Sequence, residues 1–162
     1  MSAQIKAPEG APYARILATG SFRPARVVTN EEVCENIDSS DEWIRERSGI
    51  TERRWAGDDE TVATMSAAAA EKALASAGIT PDQIDVILIA TCTHPYQTPS
   101  AASEVAAMIG APTAAAMDIS AACAGFAYGL AMAQDMVRGG SATYVLLIGA
   151  EKLSAFTDKY DR

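Results

Sequence analysis

What this chain lacks narrows its class first. Its 162 residues include one histidine and three cysteines, and aromatic side chains make up only 6%. Three unpatterned cysteines build no disulfide framework and suit a reducing compartment. Without a CxxC pair there is no signature of a structural zinc site, and no metal is expected. No apolar run is long enough for a bilayer, since 63–70 is broken by Thr64 and Ser66. Residues 1–13 hold Lys6 but no apolar h-region, which argues against a secretory signal, so the cytoplasm is the expected location. Thirteen basic residues stand against 21 acidic ones, a net charge of −8, so nucleic acid is excluded as a main partner. Neither a P-loop nor a dinucleotide fingerprint is present. The glycines at 139–140 follow a helical pattern and precede a strand, the reverse of a phosphate loop.

What is there suits one ordinary domain: 49% apolar and 21% charged residues, enough to bury a core and too apolar for disorder. Residues 1–12, rich in Ala, Pro and Gly, read as a flexible arm ahead of a folded unit over 13–162. A strand is predicted at 15–19, ended by Gly20. Thr29 or Asn30 caps a short helix running to Ile37, and Ser39 or Ser40 starts another that passes Trp43 and Arg47 and stops at Gly49. Val62, Met65, Ala69, Ala73 and Ala77 recur at helical spacing, which predicts a helix over 61–77. Its many alanines predict close packing against something flat, such as a sheet. The continuous apolar run 84–90 predicts a strand covered on both faces. Helix 99–109, strand 114–119, helix 124–138 and strand 144–148 follow. The alternation predicts an α/β fold with a mixed, largely parallel sheet and helices on both faces.

The chemistry concentrates at 118–126, DISAACAGF. A strand ends near Ile119, three small residues turn, and Cys123 stands where a helix begins. Unsatisfied N–H groups at a helix start favour a thiolate, and the cysteine's own N–H can face an oxyanion. Position alone leaves two readings open, a nucleophile or a buried structural cysteine. Cys34 and Cys92 have no comparable setting and read as inert. Arg45, Arg47, Arg53 and Arg54 form a basic island around Trp43, read first as solvated surface. The acidic run 58–60 is a solvated turn leading into the next helix.

DISAACAGF, together with SSDEWIRERSGI at 39–50 and the closing TDKYDR, resembles β-ketoacyl-acyl carrier protein synthase III. This is the initiating condensing enzyme of type II fatty acid synthesis, with the thiolase fold, and the resemblance runs over about 13–162. Priming synthases of polyketide pathways share both segments. The resemblance implies that Cys123 is acylated by an acyl-CoA primer, which then condenses with the carbanion left when malonyl-acyl carrier protein loses carbon dioxide. It implies no permanently bound cofactor, acyl-CoA being a substrate. Trp43 would stack on the CoA adenine, Ser39 and Arg47 would meet the nucleotide end, and Arg162 would flank the adenine. For Arg45, Arg53 and Arg54 the surface reading stands, or a loose attraction to the acidic carrier protein.

Thr98 matches the position that reaches across a homodimer interface into the partner's acyl pocket. Threonine there, where some members have Phe, implies tolerance of branched or longer primers; an ordinary turn threonine is the alternative. The family's catalytic His and Asn lie in its second half. His94 matches neither, so it is given no catalytic role and reads as a surface or interface loop residue. The chain is therefore expected to be the N-terminal half, lacking the decarboxylation machinery, inactive alone and exposing apolar surface that the missing C-terminal half would cover. A polyketide priming ketosynthase, or a non-catalytic half that only binds acyl-CoA, are the other readings.

Overall fold

Five consecutive apolar residues without a polar break need cover on both faces, and Val86–Ala90 has it: all five are buried. The structure, a computed structural model, describes residues 9–161. In chain order the elements are β1 (Arg26–Thr29), α1 (Asn30–Cys34), α2 (Asp41–Ser48), β2 (Glu52–Trp55) and α3 (Val62–Ala77). They continue with β3 (Val86–Ala90), α4 (Ala101–Ile109), β4 (Ala115–Ile119), α5 (Gly125–Gly139) and β5 (Val145–Gly149).

β3 lies at the centre of a three-stranded sheet, β4-β3-β5, with both neighbours parallel and Ala90 level with Ile119 and Gly149. The strand period of two then divides the core. Ile87, Ile89, Leu146 and Ile148 face the α3 and α4 side. Val86, Leu88, Val145 and Leu147 face α5. The expected α/β architecture with helices on both faces is what forms, and this sheet is wholly parallel. The antiparallel pairing lies apart, between β1 and β2.

Two expectations change, and one pairing is unforeseen. Residues 15–19 form no strand: they pair with none of the described strands, and Ile16 and Leu17 are exposed. This segment instead passes α3, where Gly20 lies so close that a Cβ would meet the Ala69 carbonyl and the Ala73 nitrogen. The β1–β2 pair has no sequence signal: ERRW and RVVT lack a clean apolar alternation. The second change is in α3, which uses its alanines chiefly against α4, a helix of similarly small residues, and only reaches the sheet at β5. Residues 9–11 of the expected arm lie against the end of α5, where the Ala11 N–H donates to the Val137 carbonyl at 3.3 Å.

Candidate active site

In a parallel sheet the loops that leave the carboxyl ends of the strands gather at one edge. A crevice opens where neighbouring strands send their chains to opposite faces. β3 continues to α4 and β4 continues to α5, which cover opposite faces of this sheet. The crevice therefore lies between residues 91–93 and residues 120–123. A cleft of about 430 Å³ borders it, running along β4 and lined by Thr91, Cys92, His94, Met117, Asp118 and Ser120 among others; Cys123 is not among its lining residues.

Cys123 stands at this edge, exposed, in the 3-10 turn Ala122–Ala124 that leads into α5. The expected helix start at 124 becomes Gly125, and Ala124, its N-cap, makes no side-chain cap. No side chain caps α5; the preceding 3-10 turn does so through the backbone, the Gly125 N–H donating to the Ala122 carbonyl and the Ala124 N–H to the Ala121 carbonyl at 3.1 Å. Two glycines let α5 sit low on the sheet. A Cβ on Gly125 would come within 2.9 Å of Ala90 Cβ, and one on Gly129 within 2.5 Å of Leu147 Cδ1. The turn before the helix is strained: Ala122 holds φ +45. For a residue with a Cβ the left-handed region costs about 1–2 kcal/mol, so the surroundings must hold it there.

Those surroundings include Cys92. Its Sγ accepts a hydrogen bond from the Ala122 N–H at 3.3 Å and lies 3.7 Å from Ser120 Oγ. Glu151, just past β5, fixes the loop that carries Cys92. Its Oε1 accepts from the Cys92 N–H at 2.9 Å, and its Oε2 accepts from the Thr91 hydroxyl at 3.2 Å and from the Thr93 hydroxyl. Asp118 secures the other side, its two oxygens accepting from Ala101 N–H at 2.8 Å and Ala102 N–H at 2.9 Å at the start of α4. Sequence reasoning passes over Glu151 and Cys92. The signal that would find them is a polar or reactive side chain one or two residues beyond a buried parallel strand.

His94 does not lie at the surface. Its side chain is 6% exposed, with Nε2 3.2 Å from the Pro99 carbonyl oxygen and 3.9 Å from Glu104, so it ties its loop to α4. Thr98 is exposed at the tip of that loop, between Gln97 and Ser100, and does not line the cleft of its own chain.

Trp43, Arg47 and Ser39 belong to a second place, the arm built by β1, α1, α2 and β2. No residue of α2 is buried. Ser40, whose Oγ accepts from the Trp43 N–H at 3.1 Å, starts the helix, and Gly49 in the left-handed conformation ends it. Trp43 is 40% exposed and the Arg47 guanidinium lies 5.5 Å from its ring centroid. The Ser39 hydroxyl oxygen is buried without a partner. Buried Asn30 anchors the arm. Its amide nitrogen donates to Asp41 at 2.7 Å and to the Ile50 carbonyl at 2.8 Å, while its oxygen accepts from Arg53 at 2.9 Å.

Arg53 is therefore a structural strut rather than a solvated member of the basic island. Arg45 pairs with Asp41 at 2.8 Å, and this hydrogen bond, helped by that from Asn30, holds the Asp41 carboxyl below its usual range. The segment after β5 connects the two places: Lys152 Nζ donates to the Gly57 carbonyl, and Lys159 lies 5.1 Å from the Trp55 ring centroid. Arg162 lies outside the described residues. Among the described residues no group of three or more metal-ligating side chains occurs, and no helix is long and apolar enough to cross a membrane.

Comparison with known proteins gives a consistent picture. Residues 117–162 match the 3-oxoacyl-acyl carrier protein synthase III family profile. β-Ketoacyl-acyl carrier protein synthase III of Streptomyces glaucescens is 58% identical over 159 residues, which cover 98% of this chain and 48% of that protein. The mycobacterial synthase III of Mycolicibacterium paratuberculosis is 52% identical, with the same coverages. Among solved structures, the priming β-ketosynthase of the R1128 polyketide biosynthetic pathway matches with a TM-score of 0.93 at 42% identity. That match covers 98% of this chain and 47% of the ketosynthase. Synthase III of Aquifex aeolicus VF5 matches with a TM-score of 0.88 at 44% identity, over 91% of this chain and 48% of that one. The chain spans about half the length of the curated relatives it matches.

Proposed function

We propose that the chain belongs to the β-ketoacyl-acyl carrier protein synthase III family, as a stretch of thiolase-like fold about half as long as its relatives. On that premise we propose that it supplies the acyl-accepting cysteine and the CoA-facing arm of a condensing enzyme. The observation that carries this reading is the placing of Cys123. It is an exposed thiol at the crevice where three parallel strands end, on a turn feeding the start of α5.

In the acylation step the Cys123 sulfur attacks the thioester carbonyl of an acyl-CoA. A carbon–sulfur bond to Cys123 forms, the bond to CoA breaks, and CoA departs as a thiol with the proton that Cys123 gave up. In the condensation, malonyl-acyl carrier protein loses carbon dioxide, its carbanion attacks the acyl carbon, and the Cys123 sulfur leaves as thiolate. The Cys123 N–H, with the positive end of the α5 dipole behind it, suits the oxyanion formed in either attack. Trp43 offers a face for the adenine, with Arg47 and Ser39 beside it for the nucleotide end and Arg162 on the other flank. No resident cofactor takes part.

The remaining polypeptide and a second copy of the chain are the proposed protein partners. On α5, Phe126 and Leu130 are exposed on one flank and Tyr128 and Met132 on another, apolar surface that suits burial under the second half of the fold. Across a homodimer interface, Thr98 would shape the partner's acyl pocket, and its small size suits branched or longer primers. The reaction belongs in the cytoplasm, where its CoA and carrier-protein substrates occur. A priming role in a polyketide pathway is the second reading, favoured by the 0.93 TM-score with the R1128 priming ketosynthase.

The test uses the full-length gene product, incubated with radiolabelled acetyl-, isobutyryl- or longer acyl-CoA and then with malonyl-acyl carrier protein. The expected result is label on the Cys123 peptide that is consumed into a β-ketoacyl product. Acylation with transfer to a different acceptor favours the priming reading, and strict preference for acetyl-CoA removes the Thr98 proposal. Label elsewhere, or none, overturns the assignment.

A further inference from the structure

We infer that Cys92 is a positioning residue for the nucleophile: its sulfur, fixed in place by Glu151, holds the Ala122 backbone in the conformation that presents Cys123. The inference rests on the reading of Cys123 as the acylated group.

Three observations meet here. Ala122, immediately before Cys123, is the one non-glycine residue with positive φ among the described residues. Its conformation needs an external restraint, and the acceptor for its N–H is Cys92 Sγ at 3.3 Å. Because the same sulfur lies 3.7 Å from Ser120 Oγ, Cys92 spans both ends of the turn and fixes its shape rather than a single bond.

An acceptor on a loose loop would restrain nothing, and this loop is held on two sides. The Thr91 N–H donates to the Ile119 carbonyl at 3.2 Å, extending the β3–β4 ladder by one residue. Glu151 binds the backbone of Cys92 and the hydroxyls of Thr91 and Thr93, and Thr93 Oγ1 in turn accepts from the Lys152 N–H at 2.8 Å. A chain of contacts therefore runs from the end of β5, through the loop after β3, to the turn after β4. Those are the three rims of the crevice. Sulfur suits the role, being large and a weak acceptor that tolerates a long N–H···S contact.

The consequence is kinetic. Without the acceptor, Ala122 relaxes toward an ordinary backbone conformation and carries Cys123 out of line with the incoming thioester. Displacements of about an ångström at a reacting atom lower rates by up to about 100-fold. The acyl-CoA concentration that half-saturates the reaction stays put, because this network meets the arm through Lys152 at Gly57, away from α2 and Trp43.

Cys92→Ala, Cys92→Ser and Glu151→Gln in the full-length gene product test this. Single-turnover acylation of the Cys123 peptide by acetyl-CoA is followed by mass spectrometry, with alkylation of Cys123 by iodoacetamide as a readout that needs no CoA. Cys92→Ala is expected to acylate about tenfold more slowly at unchanged half-saturation, Cys92→Ser to recover to within about threefold, and Glu151→Gln to fall between them. A parental rate in Cys92→Ala, or a serine variant as slow as the alanine one, overturns the inference. Should Cys92→Ala fail to fold, a folded Glu151→Gln with the parental rate overturns it equally. If acetyl-CoA leaves Cys123 unlabelled in the parent, the functional reading fails. The positioning inference then stands if alkylation of Cys123 changes at least threefold in Cys92→Ala, and falls if it does not.

Discussion

The crevice edge and the α2 arm carry the two halves of the proposed site, and they are built from opposite materials. The edge sits on the best-buried strand of the molecule, with Ile87, Leu88 and Ile89 wholly inaccessible. The arm presents a helix without a buried residue, held by the Asn30, Asp41 and Arg53 hydrogen bonds. Burial fixes the strand ends from which the nucleophile's turn springs, and the Cys92 and Glu151 hydrogen bonds hold the turn itself. Polar bonds and two short strands suffice for a platform that meets a large, flat ligand. Substitutions at the edge should therefore act on chemistry and stability together, and those on the arm on substrate affinity.

The largest effect belongs to the edge. Cys123→Ala in the full-length gene product is expected to abolish the covalent acyl adduct, read by intact-mass spectrometry after incubation with acyl-CoA; a surviving adduct would place the nucleophile elsewhere. Next is Leu88→Ala beneath it. A buried leucine at the sheet centre loses both its transfer energy and the contacts around the cavity left behind, so unfolding in urea should show a loss of about 2–5 kcal/mol. A loss below about 1 kcal/mol would mean that the sheet is not the stabilising centre.

Asn30→Ala comes third. It strands Asp41, the Ile50 carbonyl and Arg53 around a buried site, for a loss of about 1–3 kcal/mol. It should also raise the half-saturating acyl-CoA concentration, since α2 loses its anchor. Unchanged half-saturation would separate the anchor from the platform. Trp43→Ala is expected to leave stability within about 0.5 kcal/mol, as suits a side chain 40% exposed, and to weaken acyl-CoA about tenfold through lost stacking. If Trp43→Ala weakened folding and spared affinity, the contrast between edge and arm would be reversed.

The same contrast explains which features are legible in the amino-acid sequence by itself. Val86–Ala90 announces itself because a strand buried on both faces is apolar at every position, and 61–77 because a helix with one buried side repeats at its own period. Cys123 stands out because its neighbours, Ala121, Ala122, Ala124 and Gly125, are small and its strand and helix are unambiguous. β1 and β2 are not legible: Arg26, Thr29, Glu52 and Arg53 pair across more than twenty residues, and the pairing shows only in hydrogen bonds. Cys92 reads as inert for a related reason. It lies thirty residues from Ala122, and only the parallel register of Ala90 with Ile119 brings their loops together. Local pattern reveals burial; it does not reveal which loops meet.

The smallest effect concerns Asp41, at the start of α2. The Arg45 guanidinium, first, and the Asn30 amide hold its carboxyl below the ordinary value of 3.8. A carboxyl whose ionised form is favoured by folding stabilises the folded arm at every pH above that ordinary value. The contribution is lost progressively as pH falls through 3.8 toward the lowered value of the folded state. Asp41 is partly exposed to solvent, so the contribution is modest and local to the arm. Fluorescence of Trp43, isolated in a Trp55→Phe background, should therefore report loosening of α2 as pH is lowered from about 5 to about 3, before the sheet unfolds. Asp41→Asn should show the looser signal already at about pH 5 and little further change. Parallel pH curves for the two proteins would remove Asp41 from the arm's anchorage and leave Asn30 and Arg53 to hold it.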